Sequence, residues 1–159
     1  LEDSGLVARK LGTVRRVASA SPAYLKRRGT PKEPKDLINH TCLLFSGLSP
    51  TPYWEFHVAG KPLQIRVRGT FSSNQGAAVI DAARGGLGVI VALSYQVQEL
   101  VAAGELRVVL QRYEPAPIPV NVVLPSGRLQ PARVRALADL LQERMKAKDL
   151  SKPGSAVKR

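Results

Sequence analysis

The sequence predicts an α/β fold of two lobes, one inserted into the other, and three observations carry that expectation. Strand and helix patterns alternate from Lys61 to Leu110, the order that lays helices onto a sheet through right-handed crossovers. Within that stretch GVIVAL is apolar throughout, as a strand covered on both faces reads, usually in a parallel sheet. Charge is also divided by position: residues 1–40 hold 9 basic and 4 acidic side chains, 41–120 hold 6 and 5, and 121–159 hold 9 and 3. The near-neutral middle lies between the Pro-rich connectors TPKEP and EPAPIP. It is expected to be an inserted lobe, with two chain crossings, a hinge and a cleft.

Taken in order, LVARKL and TVRRVASA set Val and Leu among basic residues, which suits strands with one wet face. Ser21-Pro22 opens the helix AYLKRRG, with serine to cap the amides, proline at the first helical position and Gly29 at the exit. Pro31 and Pro34 leave room for at most a helical turn near Asp36 to Asn39. TCLLF, YWEFHV and KPLQIRVRG read as strands, the last with Leu63, Ile65 and Val67 alternating against Gln64, Arg66 and Arg68. Ser73-Asn74 is the expected cap of the helix NQGAAVIDAAR, whose Gly76, Val79, Ile80 and Ala83 share one face. Ser94 is the expected cap of SYQVQELVAAG, and LRVVL and VNVVLP supply further strands. In the final helix Val134, Leu137, Ala138, Leu141 and Met145 form a stripe expected to pack on a sheet.

Composition narrows the function classes. With 159 residues, 44% hydrophobic and 23% charged, the chain fits one globular unit or two small lobes. No apolar run approaches the roughly 18 to 20 residues of a membrane span, and LEDSGLVARK lacks a signal peptide's apolar core. A soluble, cytoplasmic protein is expected. Starting at Leu1 rather than methionine, it is expected to be a piece of something longer. Cys42 is the single cysteine, and with only His40 and His57 beside it neither a disulfide nor a metal site is expected. The formal net charge of +12 sits at both ends, partly in the tail KAKDLSKPGSAVKR, which reads as disordered. With 5% aromatics, a solvated basic surface is favoured over direct nucleic-acid contact.

Catalytic machinery is not visible. Gly85, Gly86 and Gly88 follow a helix and precede a strand, the reverse of a phosphate-cradling loop, so they read as a helix end. No Gly-x-Ser-x-Gly elbow supports a hydrolase. Asp81, Glu99 and Glu105 form no evident acid and base pair. What recurs is a strand followed by a polar cap, at Ser19 to Pro22, Ser72 to Gln75 and Leu93-Ser94. Such junctions gather at the carboxyl ends of strands in an open α/β sheet, where free amides favour a polar or anionic ligand. At each one, simple capping is the competing explanation.

The strings ASPAYLKRRGTPKEPKDLINHTCLLF, WEF, SSNQGAAVIDAARGGLGVIVALSYQVQELVAAGELRVVL and VNVVLPSGRLQPARVRALADLL strongly resemble the effector-binding domain of LysR-type bacterial transcriptional regulators. The resemblance covers about residues 6–146. Ser21, Pro22, Tyr24, Gly29, Pro31, Pro34, Asp36, Leu37, His40 and Cys42 keep both identity and spacing. It implies a fold like the type 2 periplasmic binding proteins: two α/β lobes, two crossover segments and an inducer cleft between them. Residues 1–39 and 116–148 would form a first lobe truncated at its N-terminal side. Residues 40–115 would form the second, inserted lobe, and 149–159 a disordered basic tail.

By the same resemblance Ser73, Asn74 and Gln75 match a helix start that contacts effectors, and Val91 matches a cleft-wall position. Ser19 and Ser21 are weaker first-lobe candidates, and Trp54 is taken as core. The implied function is effector sensing: a small anionic or aromatic molecule binds the cleft and is read out through a homo-oligomer. DNA would be bound by a helix-turn-helix outside this chain. No cofactor, catalysis or membrane partner is expected. The rival readings are a small α/β enzyme of the same fold and a basic polyanion-binding module.

Overall fold

A computed structural model describes residues 6–125 and 132–148. Strand β1 (Leu6–Val14) pairs antiparallel with β9 (Ile118–Pro125), from Leu6 opposite Pro125 to Val14 opposite Ile118. Helix α4 (Ala132–Lys148) lies on β1. Arg9 reaches both Asp139, at 2.6 Å, and Gln142 on the helix.

The chain changes sheet within one residue. After Arg15 comes β2 (Arg16–Ala20), which belongs to a five-stranded sheet with β3 (Cys42–Phe45), β6 (Ser72–Ser73), β7 (Val89–Leu93) and β8 (Arg107–Val109). The strand order is β6-β3-β7-β2-β8. β3 runs parallel to both β6 and β7, whereas β2 runs antiparallel to β7 and β8. A hairpin of β4 (Tyr53–Val58) and β5 (Lys61–Arg66) stands apart.

Each central strand is buried on both faces, so period two sorts its residues into two cores. Val17, Leu43, Ile90 and Ala92 face α2 (Gly76–Arg84) and α3 (Ser94–Ala102), meeting Val79, Ile80, Ala83 and Val97. Ala18, Ala20, Cys42 and Val89 face the other way, toward Trp54 and Phe56 of the hairpin and Tyr24 and Leu25 of α1 (Pro22–Arg28). Burying a side chain such as Ile90, fully inaccessible here, stabilises by about 1.5–3 kcal/mol.

The strand and helix alternation is as expected, and five sequence readings change. Residues 16–39 were placed with the flanking segments, but the sheet exchange falls at Arg15: β2 lies inside the central sheet, and Leu25 and Leu37 join the core beneath it. The connector misled because Pro31 and Pro34, though turn-formers, are themselves buried. β2 has no wet face, since Val17 to Ala20 are all buried. Gln75, not Ser73-Asn74, is the N-terminal flank of α2, and it makes no side-chain cap. Ser94 is the first residue of α3 rather than its cap, because its hydroxyl accepts the Arg15 amide at 3.1 Å. On α4, Ala138 is buried but Leu137 and Leu141 are 56% and 38% exposed, so the stripe packs on β1 over part of its width. The expected tail, 149–159, lies outside the described residues.

Ser21 does cap α1, accepting the Tyr24 amide at 3.3 Å, worth about 1 kcal/mol. A short network continues from Tyr24. The Thr41 amide donates to Tyr24 Oη at 2.9 Å, and Tyr24 Oη lies 3.2 Å from His40 Nδ1. Burial, and secondarily the Arg28 charge, pushes the His40 pKa below its ordinary 6.5, against a smaller opposing pull from Asp36. A depressed histidine pKa means that the unfolded chain takes up the proton first as pH falls. Unfolding free energy measured by urea titration should therefore decline from pH 7 downward through 6.5, and His40→Gln should flatten that slope. An unchanged slope would refute the assignment.

Candidate functional site

Because β2 runs backward, its first residue and the last residues of β3, β6 and β7 meet at one edge of the sheet: Arg16 stands opposite Leu93. At this carboxyl edge, on the hairpin face, lies a depression of about 380 Å³. Its floor is Val91 of β7, Arg16 of β2 and Trp54 of β4; its rim is the loop from Leu48 to Thr51, with Tyr53, Glu55 and Gln64 of the hairpin. The volume falls within the ordinary range for small-molecule sites. Arg16 shares a face with Ala18 and Ala20, so its stem crosses the mouth of the core. Its Nε is buried without a partner among the described residues. A buried donor left unpaired costs about 1–3 kcal/mol, which an acceptor entering the depression would recover. Ser49 Oγ lies 3.0 and 3.1 Å from the carbonyls of Thr51 and Tyr53, which share its single hydrogen and tie the rim together.

The structure separates the six predicted site residues. Val91 lines the depression. Ser73, Asn74 and Gln75 occupy the same edge, one loop away: the Ser46 amide donates to the Ser73 carbonyl at 3.0 Å, and Ser73 Oγ accepts the Gln75 amide at 3.0 Å. Ser19 and Ser21 are not part of this edge. Ser19 is fully buried on the α2 and α3 side, and Ser21 sits near Gly86, in the loop before β7. The junction rule held for parallel strands and failed at the one reversed strand. Cys42, fully buried, has its thiol pushed up to about 12 by burial, which removes it as a nucleophile. Trp54, 3% exposed, is core as expected and also lines the depression.

Two residues missed in the sequence join the two passages between sheets. Arg15 separates β1 from β2, and Glu114 precedes β9; their side chains pair at 2.7 Å while only 16% and 9% exposed. Burial raises the Glu114 pKa, and the Arg15 charge opposes the rise. The Ser94 amide donates to the Arg15 carbonyl at 2.8 Å, so the first passage is also tied to the start of α3. Nothing in a sequence pairs residues this distant. Arg16, by contrast, had a signal: an arginine in phase with two alanines on an otherwise buried strand.

A family model described as the LysR substrate binding domain matches residues 1–146. The chain belongs to that family. The regulatory domain of AphB in Vibrio vulnificus superposes with a TM-score of 0.77 at 27% identity, covering 89% of this chain and 70% of that one. The regulatory domain of CrgA, a LysR-type transcriptional regulator from Neisseria meningitidis, gives 0.74 at 30%, covering 91% and 71%. LysR regulatory domains have the periplasmic-binding-protein-like type 2 fold, and this LysR substrate-binding domain shares it. Among sequence relatives, the HTH-type transcriptional regulator DmlR of Escherichia coli K12 is 33% identical over 139 residues, covering 87% of this chain and 45% of the relative. An HTH-type transcriptional regulator of Haemophilus influenzae is 30% identical over 138 residues, covering 87% and 48%. The chain spans about half the length of the curated relatives it matches. These relatives are transcriptional regulators rather than enzymes. Among the described residues no helix is long and apolar enough to cross a membrane.

Proposed function

We propose that this LysR substrate-binding domain senses a small effector for a bacterial transcription regulator. The effector occupies the depression beside the two passages between sheets. The observation that carries this reading is the placement of Arg16, which lines the depression, follows the paired Arg15 in the chain and has a buried Nε without a partner among the described residues. A guanidinium beside Trp54 and Val91 suits a small carboxylate with an apolar or aromatic body. Ser73, Asn74 and Gln75, one loop away at the same edge, would form a polar flank beyond the rim. A ligand that binds one arrangement of the two sheets better than another shifts their populations. A homo-oligomer would carry that shift to a DNA-binding segment outside this chain, and cytoplasmic action follows from such a role. We read a sensor rather than a catalyst because the relatives are regulators and because the one carboxylate of the lining, Glu55, has as its histidine neighbour His57, 3.6 Å away, which does not line the depression.

The test is a thermal-shift screen of small aromatic and aliphatic carboxylates. A hit at about 100 times its Kd should stabilise the chain by roughly 2.7 kcal/mol. Trp54 is the single tryptophan, so binding should also change its fluorescence. Arg16→Ala should weaken a hit at least tenfold, and Ser73→Ala with Asn74→Ala more modestly. A hit indifferent to Arg16→Ala would refute the site.

A further inference from the structure

At the opposite, amino edge of the sheet lies a second depression, of about 270 Å³, lined by Arg28, Asn39, His40, Thr41, Arg68 and Thr70. Its lining carries two arginines, two hydroxyls and no carboxylate. It exists because the segment 68–70 runs hard against β3, where the Cys42 amide donates to the Arg68 carbonyl at 2.9 Å. Only glycine permits that approach at position 69, since a Cβ there would stand 1.7 Å from the Cys42 carbonyl oxygen.

The decisive group is His40, 8% exposed. The Thr41 amide donates to Tyr24 Oη, and the phenol's own hydrogen can then be directed to His40 Nδ1, 3.2 Å away. In that tautomer the imidazole proton is on Nε2, which has no partner among the described residues and belongs to a side chain lining the depression. Arg28 is steadied by a 3.1 Å bond to the Asn39 carbonyl. The Arg68 guanidinium is held by no partner among the described residues. The nearest acid in sequence, Asp36, spends its carboxylate on the Lys32 and Glu33 amides at 2.7 and 3.0 Å. Those two bonds hold it ionised below the usual range.

We propose that this amino-edge depression binds a compact tetrahedral oxyanion, inorganic phosphate or a phosphomonoester group, through Arg28, Arg68 and the His40 Nε2 proton. Thr41 and Thr70 hydroxyls complete the donor set. Two guanidinium groups, an imidazole and two hydroxyls in one lining supply enough donors to favour a phosphate, with its additional acceptor oxygens, over a planar carboxylate. The site lies across the sheet from the effector depression and is independent of it.

The probe is inorganic phosphate, titrated into the chain at low ionic strength and pH 7 and followed by amide NMR. Chloride at matched ionic strength is the control. Saturable shifts are expected at Thr41, Gly69 and Thr70. Arg68→Ala, which removes no side-chain bond among the described residues, should weaken phosphate at least about tenfold, whereas Arg133→Ala on α4 should leave it unchanged. Arg68→Gln serves if the alanine variant is unstable. Shifts that follow chloride equally, or survive both Arg68 variants, overturn the proposal. So does saturable binding of a short DNA duplex at these residues without binding of phosphate, which would assign them to a nucleic-acid backbone.

Discussion

Arg15→Ala is expected to lower the unfolding free energy by about 3–5 kcal/mol, the usual cost of removing one partner from a buried ion pair. The guanidinium is 2.7 Å from Glu114, and neither side chain is more than 16% exposed, so water cannot replace it. The loss should depend on pH in a definite sense. Burial already raises the Glu114 pKa, and Arg15 is the charge that restrains it; without Arg15 the folded value climbs further. A raised carboxyl pKa favours the folded state at low pH, and that contribution disappears as pH rises through the folded value. The deficit of Arg15→Ala should therefore be smallest near pH 4.5 and widen toward pH 7. Adding Glu114→Gln should recover part of it at pH 7, because a neutral amide costs less to bury unpaired than a carboxylate. Urea denaturation at both pH values checks this. A loss below about 0.5 kcal/mol at pH 7, ordinary for a surface pair, would mean that the two passages are not fastened together.

The contrast between that pair and the rest of the fold marks what a sequence can disclose. The α2 face of Val79, Ile80 and Ala83, the alternation of β5 and the Ser21 cap all follow from neighbours within a few residues, where periodicity and capping act. β7 was recognisable as buried on both faces because its own residues say so. Its neighbours are another matter. That β2 lies between β7 and β8, reversed, is decided by packing across the sheet, and no local pattern encodes strand direction. Two differences come from this one unknown: residues 16–39, expected with the flanking segments, lie in and beneath the central sheet, and Ser19 and Ser21, expected at the same edge as Ser73 to Gln75, are carried by β2 to the other. The half-exposed stripe of α4 has the same origin, since amphipathic spacing shows which face is apolar and not how much of it β1 covers.

Trp54→Ala joins the core to the candidate site and is the second large effect. The indole is 3% exposed and packs in the hairpin-side core, while Trp54 also lines the depression proposed to hold the effector. Truncating a buried tryptophan to alanine costs about 3–5 kcal/mol, a large share of the 5–15 kcal/mol typical of a domain. Part of that cost is the cavity left behind, so Trp54→Phe, which refills most of it, should cost roughly half as much. The two variants separate packing from recognition. If Trp54 only supports the core, the phenylalanine variant, once shown by calorimetry to be folded, will bind an effector found with the native chain at unchanged affinity. If the indole is also a contact surface, as the proposed site beside Arg16 and Val91 expects, affinity will fall even though the fold survives. Equal affinity in a folded Trp54→Phe would remove Trp54 from the recognition surface and leave Arg16 to carry the site.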